Sequence, residues 1–77
     1  MDRTLIRKIM TIMASIGKVE YRMHSKFVGF YKEEVIVAKV EAEKLYLFNN
    51  GVLVKVDHSL DRAILNTKLH KAYHDVV

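Results

Sequence analysis

Ile16-Gly17-Lys18-Val19-Glu20-Tyr21-Arg22-Met23, then Phe27-Val28-Gly29-Phe30-Tyr31, Val35-Ile36-Val37-Ala38-Lys39-Val40 and Lys44-Leu45-Tyr46-Leu47-Phe48, closing on Asn49-Asn50-Gly51-Val52, is the stretch that decides the fold. Short runs of β-branched and aromatic residues are broken at regular intervals by charge pairs or Asn-Gly, the pattern of an antiparallel meander. In the first run Val19, Tyr21 and Met23 alternate with Lys18, Glu20 and Arg22, predicting a strand with one dry and one charged face. Strand 2 is expected over Phe27 to Tyr31, and strand 3 over Val35 to Val40 after the polar break Lys32-Glu33-Glu34. On strand 3, Ile36, Ala38 and Val40 share a face opposite Lys39, which predicts their burial. Glu41-Ala42-Glu43 turns into strand 4, Lys44 to Phe48. Asn49-Asn50-Gly51 supplies residues that tolerate positive φ and predicts a hairpin into strand 5, Val52 to Val56.

Outward from the meander, Leu5, Ile9, Ile12, Met13 and Ile16 fall at helical spacing, with Ile6 and Met10 widening the stripe. A helix is predicted over residues 3–16, capped by Asp2 or Thr4 and ended by Gly17 in a left-handed conformation. Met1, Met10 and Met13 offer an adaptable partner groove, but their spacing favours a core stripe facing the sheet. After strand 5, Asp57 and Ser59 are the cap candidates for a closing helix. Its looser stripe is Leu60, Ile64, Leu69 and Tyr73, with Ala63, Leu65 and Ala72 nearby. Val76-Val77 reads as a frayed end or the start of another strand. The expected fold is a two-layer α+β domain over residues 1–77: N-terminal helix, five-stranded antiparallel meander, C-terminal helix, with both helices on one face.

Length, composition and charge narrow the function. Seventy-seven residues make a single domain with a small core. Without cysteine there is no disulfide, thiol nucleophile or thiolate metal site, which fits a cytoplasmic setting. The N-terminal residues lack the apolar block of a secretory signal, and no apolar run approaches the roughly twenty residues of a membrane span. No membrane association is expected. Net charge is +4. Residues 1–32 carry seven basic side chains against Asp2 and Glu20, a balance of +5, while residues 33–77 balance at −1. A basic first half attracts anionic partners, although a solvated Lys-rich surface is the ordinary explanation.

Side chains with chemistry are few. His70 and His74 stand four apart, a spacing that lets two imidazoles share a metal, but no third ligand is evident and no metal or other cofactor is expected. His24-Ser25 are adjacent in sequence, which does not make a catalytic dyad, because nucleophile, base and orienting acid must converge from the fold. No enzymatic activity is expected. Tyr21, Phe30, Tyr31, Tyr46 and Phe48 could form a stacking platform for single strands, yet most alternate with apolar neighbours, which favours core or dimer-interface packing. Gly17, Gly29 and Gly51 are too dispersed for a phosphate-cradling loop. Lys18, Arg22 and Lys26 are the candidate contacts to a partner or to nucleic acid. Strands 2 to 4 carry apolar residues at both parities, so both sheet faces want cover and a homodimer is expected.

The order of elements resembles the N-terminal domain of the TfoX/Sxy family of bacterial competence regulators over roughly residues 5–56. The likeness lies in Ile16-Gly17 at the helix end, Val19-Glu20-Tyr21-Arg22, the glycine-containing aromatic strand Phe27-Val28-Gly29-Phe30-Tyr31, and the acidic turn Glu33-Glu34. Val37-Ala38-Lys39-Val40 and Leu45-Tyr46-Leu47 complete it. Where that family has Met/Leu-Phe-Gly after the first strand's arginine, this chain has Met23-His24-Ser25-Lys26. The resemblance implies a stand-alone domain lacking the family's helical C-terminal domain. It also implies a non-catalytic role in transcription regulation, full-length members acting as coactivators with the cyclic-AMP receptor protein. A protein partner, such as a transcription factor, is the expectation. A small basic nucleic-acid-binding protein is the alternative, with DNA contacted weakly.

Overall fold

The computed structural model describes residues 3–59 and 61–76. The elements run α1 (Arg3–Ile16), β1 (Glu20–Met23), β2 (Phe27–Lys32), β3 (Val35–Glu41), β4 (Lys44–Asn49), β5 (Val52–Val56) and α2 (Arg62–Asp75). The strands form one antiparallel sheet in sequence order, so every connection is a local hairpin. This is the α+β arrangement expected from the periodicities. Among the described residues no helix is long and apolar enough to cross a membrane.

α1 buries Leu5, Ile6, Ile9, Ile12 and Met13, the predicted stripe, with Met10 packed at its margin. These side chains meet Val28 and Phe30 of β2, Val37, Ala38 and Val40 of β3, and Leu45 and Leu47 of β4. α2 adds Leu65, Leu69 and Ala72 to the same core. Both helices therefore lie on one face of the sheet, and no helix among the described residues covers the opposite face.

Three successive connections use two central residues at positive φ: Glu33 and Glu34 at 49° and 75°, Ala42 and Glu43 at 51° and 60°, Asn50 and Gly51 at 51° and 87°. Each is flanked by a directly paired couple, Lys32 with Val35, Glu41 with Lys44 and Asn49 with Val52. Two positive φ values in a two-residue hairpin match the twist of the flanking strands, so strand pairing imposes them even where the residues are not Asn or Gly.

Several local expectations are corrected. Tyr21 and Met23 are not on a dry face: they are 48% and 69% exposed, because β1 is an edge strand that the helices do not fully cover. Ile36 does not join Ala38 and Val40. A register shift between Phe30 and Tyr31 pairs Phe30 with Ala38 but Tyr31 with Ile36, leaving Val37 as the extra residue. That bulge buries Val37 and turns Ile36 to the outer face.

The closing helix is capped by Asp61, whose side chain accepts from the N–H of Ala63 at 2.8 Å. Asp57 and Ser59 instead form a separate turn, in which the Ser59 N–H and hydroxyl both donate to Asp57 Oδ1. Starting at Arg62, α2 presents Leu65, Leu69 and Ala72 inward and leaves Ile64 47% exposed. Thr4 lies inside the first turn of α1, not at its cap. Gly17 does not adopt positive φ; a Cβ there would lie 2.5 Å from the Tyr73 hydroxyl oxygen, so close approach of that ring requires glycine. Val76 is extended and buried without joining the sheet. The expectations placed on Met1, Asp2, Leu60 and Val77 lie outside the described residues.

Candidate interaction surface

Strand register places one row of residues straight across the uncovered face: Arg22, Gly29, Lys39, Tyr46 and Lys55. Alternation puts Glu20, Phe27, Tyr31 and Glu41 on the same face beside that row. Phe48 and Leu53 are paired with each other toward β5, where Phe48 packs partly against the core.

The aromatic rings here are interleaved with cations. The Arg22 guanidinium lies 4.7 Å from the centre of the Tyr31 ring. Lys39 Nζ sits 5.3 Å from Phe27 and 5.0 Å from Tyr46, between the two rings. Such contacts are attractive because the ring face carries partial negative charge. His24, in the β1–β2 connection, stacks on Phe27 at 4.3 Å, and its Nε2 is 2.9 Å from the Tyr31 hydroxyl. Gly29 is buried because the Tyr31 ring lies across it; a Cβ at position 29 would come within 2.6 Å of that ring.

Two of the cations on this face, Arg22 and Lys39, are already paired. Arg22 Nη2 donates to Glu34 Oε1 at 2.8 Å and stands 3.7 Å from Glu20 Oε2. The Glu34 hydrogen bond is the main cause that raises the arginine's pKa above its ordinary value. Lys39 Nζ donates to Glu41 Oε1 at 3.0 Å. Exposed pairs of this kind add little stability, but they cancel charge locally. Lys55 makes no ion pair among the described residues.

Of the three basic residues that stand out in the sequence, only Arg22 belongs to this surface. Lys18 precedes β1 and Lys26 lies in the connection after it, so the two sit at opposite ends of the strand. The basic first half of the chain therefore does not form one patch. Charge sorts by layer instead: α1 and α2 together carry +5, and residues 17–61 are neutral, with seven basic and seven acidic side chains. Sequence reading misses Lys39, Tyr46 and Lys55 as members of the row. Their shared parity is visible, but strand order is needed to align them.

His70 and His74 do approach, with ring centres 4.3 Å apart on the exposed side of α2. Among the described residues no group of three or more His, Cys, Asp or Glu side chains is placed to hold a metal ion. His24 engages Phe27 and Tyr31, not its neighbour Ser25. Of the aromatic residues considered as a platform, Phe30 alone is fully buried.

No protein-family model, curated protein or solved structure matches the chain. The likeness to the TfoX/Sxy N-terminal domain rests on the sequence elements alone.

Proposed function

We propose that the chain is a non-catalytic interaction module that binds a protein partner through the uncovered sheet face. The transcription-related setting is the one the TfoX/Sxy resemblance implies, and the module works as a cytoplasmic homodimer. The observation that carries the protein-partner reading is the neutralisation of Arg22 by Glu34 and Glu20 and of Lys39 by Glu41. A surface rich in Tyr and Phe, whose arginine and central lysine are neutralised internally, has the composition of a protein interface. Nucleic-acid affinity comes mainly from cations free to displace counterions from phosphates, and two of this row's three cations are already engaged. A non-catalytic role is supported by His24, which contacts an aromatic ring and a phenol and, among the described residues, has no carboxylate partner to orient it.

A second function, a small basic nucleic-acid-binding protein, is favoured by one observation: Lys39 standing between Phe27 and Tyr46 has the layout of a base-stacking platform. Salt separates the two. Anisotropy titrations with a labelled single-stranded oligonucleotide should show weak binding without sequence preference at physiological salt. If nucleic acid is instead the ligand, binding is nanomolar, and replacing the row's cations Arg22, Lys39 and Lys55 with Gln flattens the salt slope by roughly two to three units.

A further inference from the structure

We propose that β1 is a self-pairing edge: two copies of the chain join β1 to β1 antiparallel about a twofold axis at Tyr21, merging their five-stranded sheets into one. This rests on the homodimer part of the function proposed above and specifies its interface.

The phase of the backbone comes first. The His24 N–H donates to the Phe27 carbonyl at 2.8 Å, which makes that couple a hydrogen-bonded pair. Antiparallel pairs alternate, so Arg22 with Gly29 and Glu20 with Tyr31 are hydrogen-bonded as well. Tyr21 and Met23 therefore turn their N–H and C=O groups away from β2, to the open edge. The same two residues carry the exposed apolar side chains of the strand, 48% and 69% exposed. These lie on the helical side of the sheet, lining a groove of about 280 Å³ with Ile6, Met10, Arg3 and Arg7 of α1. Unpaired backbone polar groups beside exposed apolar side chains form a template for another strand, and natural edges usually blunt it with Lys, Pro or a bulge. β1 is short and charged but has no Pro and no bulge, the bulge of this sheet being in β3, and its two charges, Glu20 and Arg22, are of opposite sign, so they can match a second copy across an antiparallel ladder.

Charge selects a second copy and sets its register. With the axis at Arg22, the two arginines would stand directly opposite each other. With the axis at Met23, Arg22 would face His24 of the partner subunit and Glu20 would find no strand residue. With the axis at Tyr21, Glu20 faces Arg22 of the partner subunit on the outer side, twice by symmetry. Met23 then faces Val19 of the partner subunit on the apolar side. Opposite charges directly across a ladder stabilise it and like charges oppose it. The other edge, β5, carries Lys55 and no acidic residue, so its self-pairing has no charge to match.

Sedimentation equilibrium on the wild-type chain and charge variants tests the register. Glu20→Arg and Arg22→Glu each turn both cross-strand pairs into like charges and should weaken dimerisation about tenfold. The double swap Glu20→Arg/Arg22→Glu should restore it. Because the chain has no cysteine, Tyr21→Cys should give a covalent dimer on mild oxidation, since Cα atoms of a hydrogen-bonded pair stand about 5.5 Å apart. Val52→Cys on β5 should not cross-link. A dimer indifferent to the single reversals, or one cross-linked through Val52→Cys and not Tyr21→Cys, overturns the β1 interface and leaves the homodimer standing. A wild-type monomer at high micromolar concentration overturns both, without bearing on the protein partner at the outer face.

Discussion

Lys32 Nζ donates to the backbone carbonyl of Tyr73 at 3.0 Å and lies 4.2 Å from the centre of the same residue's ring. A further hydrogen bond at 3.1 Å reaches the carbonyl of Val76. One ammonium thus ties the end of β2 to the C-terminus of α2, where unpaired carbonyls concentrate negative charge. Lys32→Met keeps the aliphatic stem and removes the donor. It should lower stability by about 1–2 kcal/mol, discounted for partial exposure, as read by urea unfolding.

The hairpin connections predict opposite effects at two sites. Gly51 sits at φ 87°, and a Cβ there would point into open space with nothing within 4 Å, so only backbone strain opposes substitution. Gly51→Val should cost about 1–2 kcal/mol. Ala42 and Glu43 already bear that strain at φ 51° and 60°. Ala42→Asn with Glu43→Gly should therefore stabilise the chain by about 1 kcal/mol or more, seen as a higher melting temperature.

Asp57 gives the stability a defined acid dependence. The Ser59 hydroxyl, and next its N–H, hold the carboxylate below its ordinary pKa. A lowered pKa in the folded state means the contribution is fully present above the unfolded value, about 4, and is lost as pH falls through the depressed folded value. Melting curves of wild type and Asp57→Asn should run parallel from about pH 8 to 5 and converge below about 4. Convergence at neutral pH would show that another group is titrating.

Much of the fold is legible in the residues, for identifiable reasons. α1 can be read to its observed bounds because its apolar positions follow one helical stripe between a basic start and Ile16-Gly17. The strand order follows from hairpin-length breaks such as Glu33-Glu34 and Asn50-Gly51. Val35-Ile36-Val37-Ala38 is apolar at both parities, so nothing in it marks where the bulge exchanges Ile36 for Val37. Asp61 escapes notice as the cap because Asp57 and Ser59 also fit the cap chemistry, and only the packing of Leu65 and Leu69 sets the helix phase. Gly17 is explained by Tyr73, 56 positions along the chain, a contact no local rule reports.

The candidate surface is legible only in part. Arg22 stands out in the sequence, but Lys18 and Lys26 group with it only by closeness along the chain, whereas the surface is assembled across strands. Its charge balance depends on Glu34 and Glu41, which read locally as turn residues.

Gly29→Ala offers a way to disturb the surface without entering the core. The added methyl meets the Tyr31 ring, which must leave its place beside Arg22 and His24. Alanine costs a strand little in itself, so the melting temperature should change by no more than a few degrees while partner binding weakens. A large loss of stability would place Tyr31 in the structural core and not in the interface.

Affinity capture from the native host with nuclease-treated lysate decides whether a protein partner is held at the uncovered sheet face. Tagged wild type would be compared with Phe27→Ala/Tyr46→Ala on the outer face and Arg7→Gln/Lys68→Gln on the helical layer. A protein should be recovered in stoichiometric amount by the wild type and the helical-layer variant, and lost from the outer-face variant. Recovery that depends on intact nucleic acid, or a partner retained by the outer-face variant and lost from the helical-layer one, would contradict a protein partner at that face.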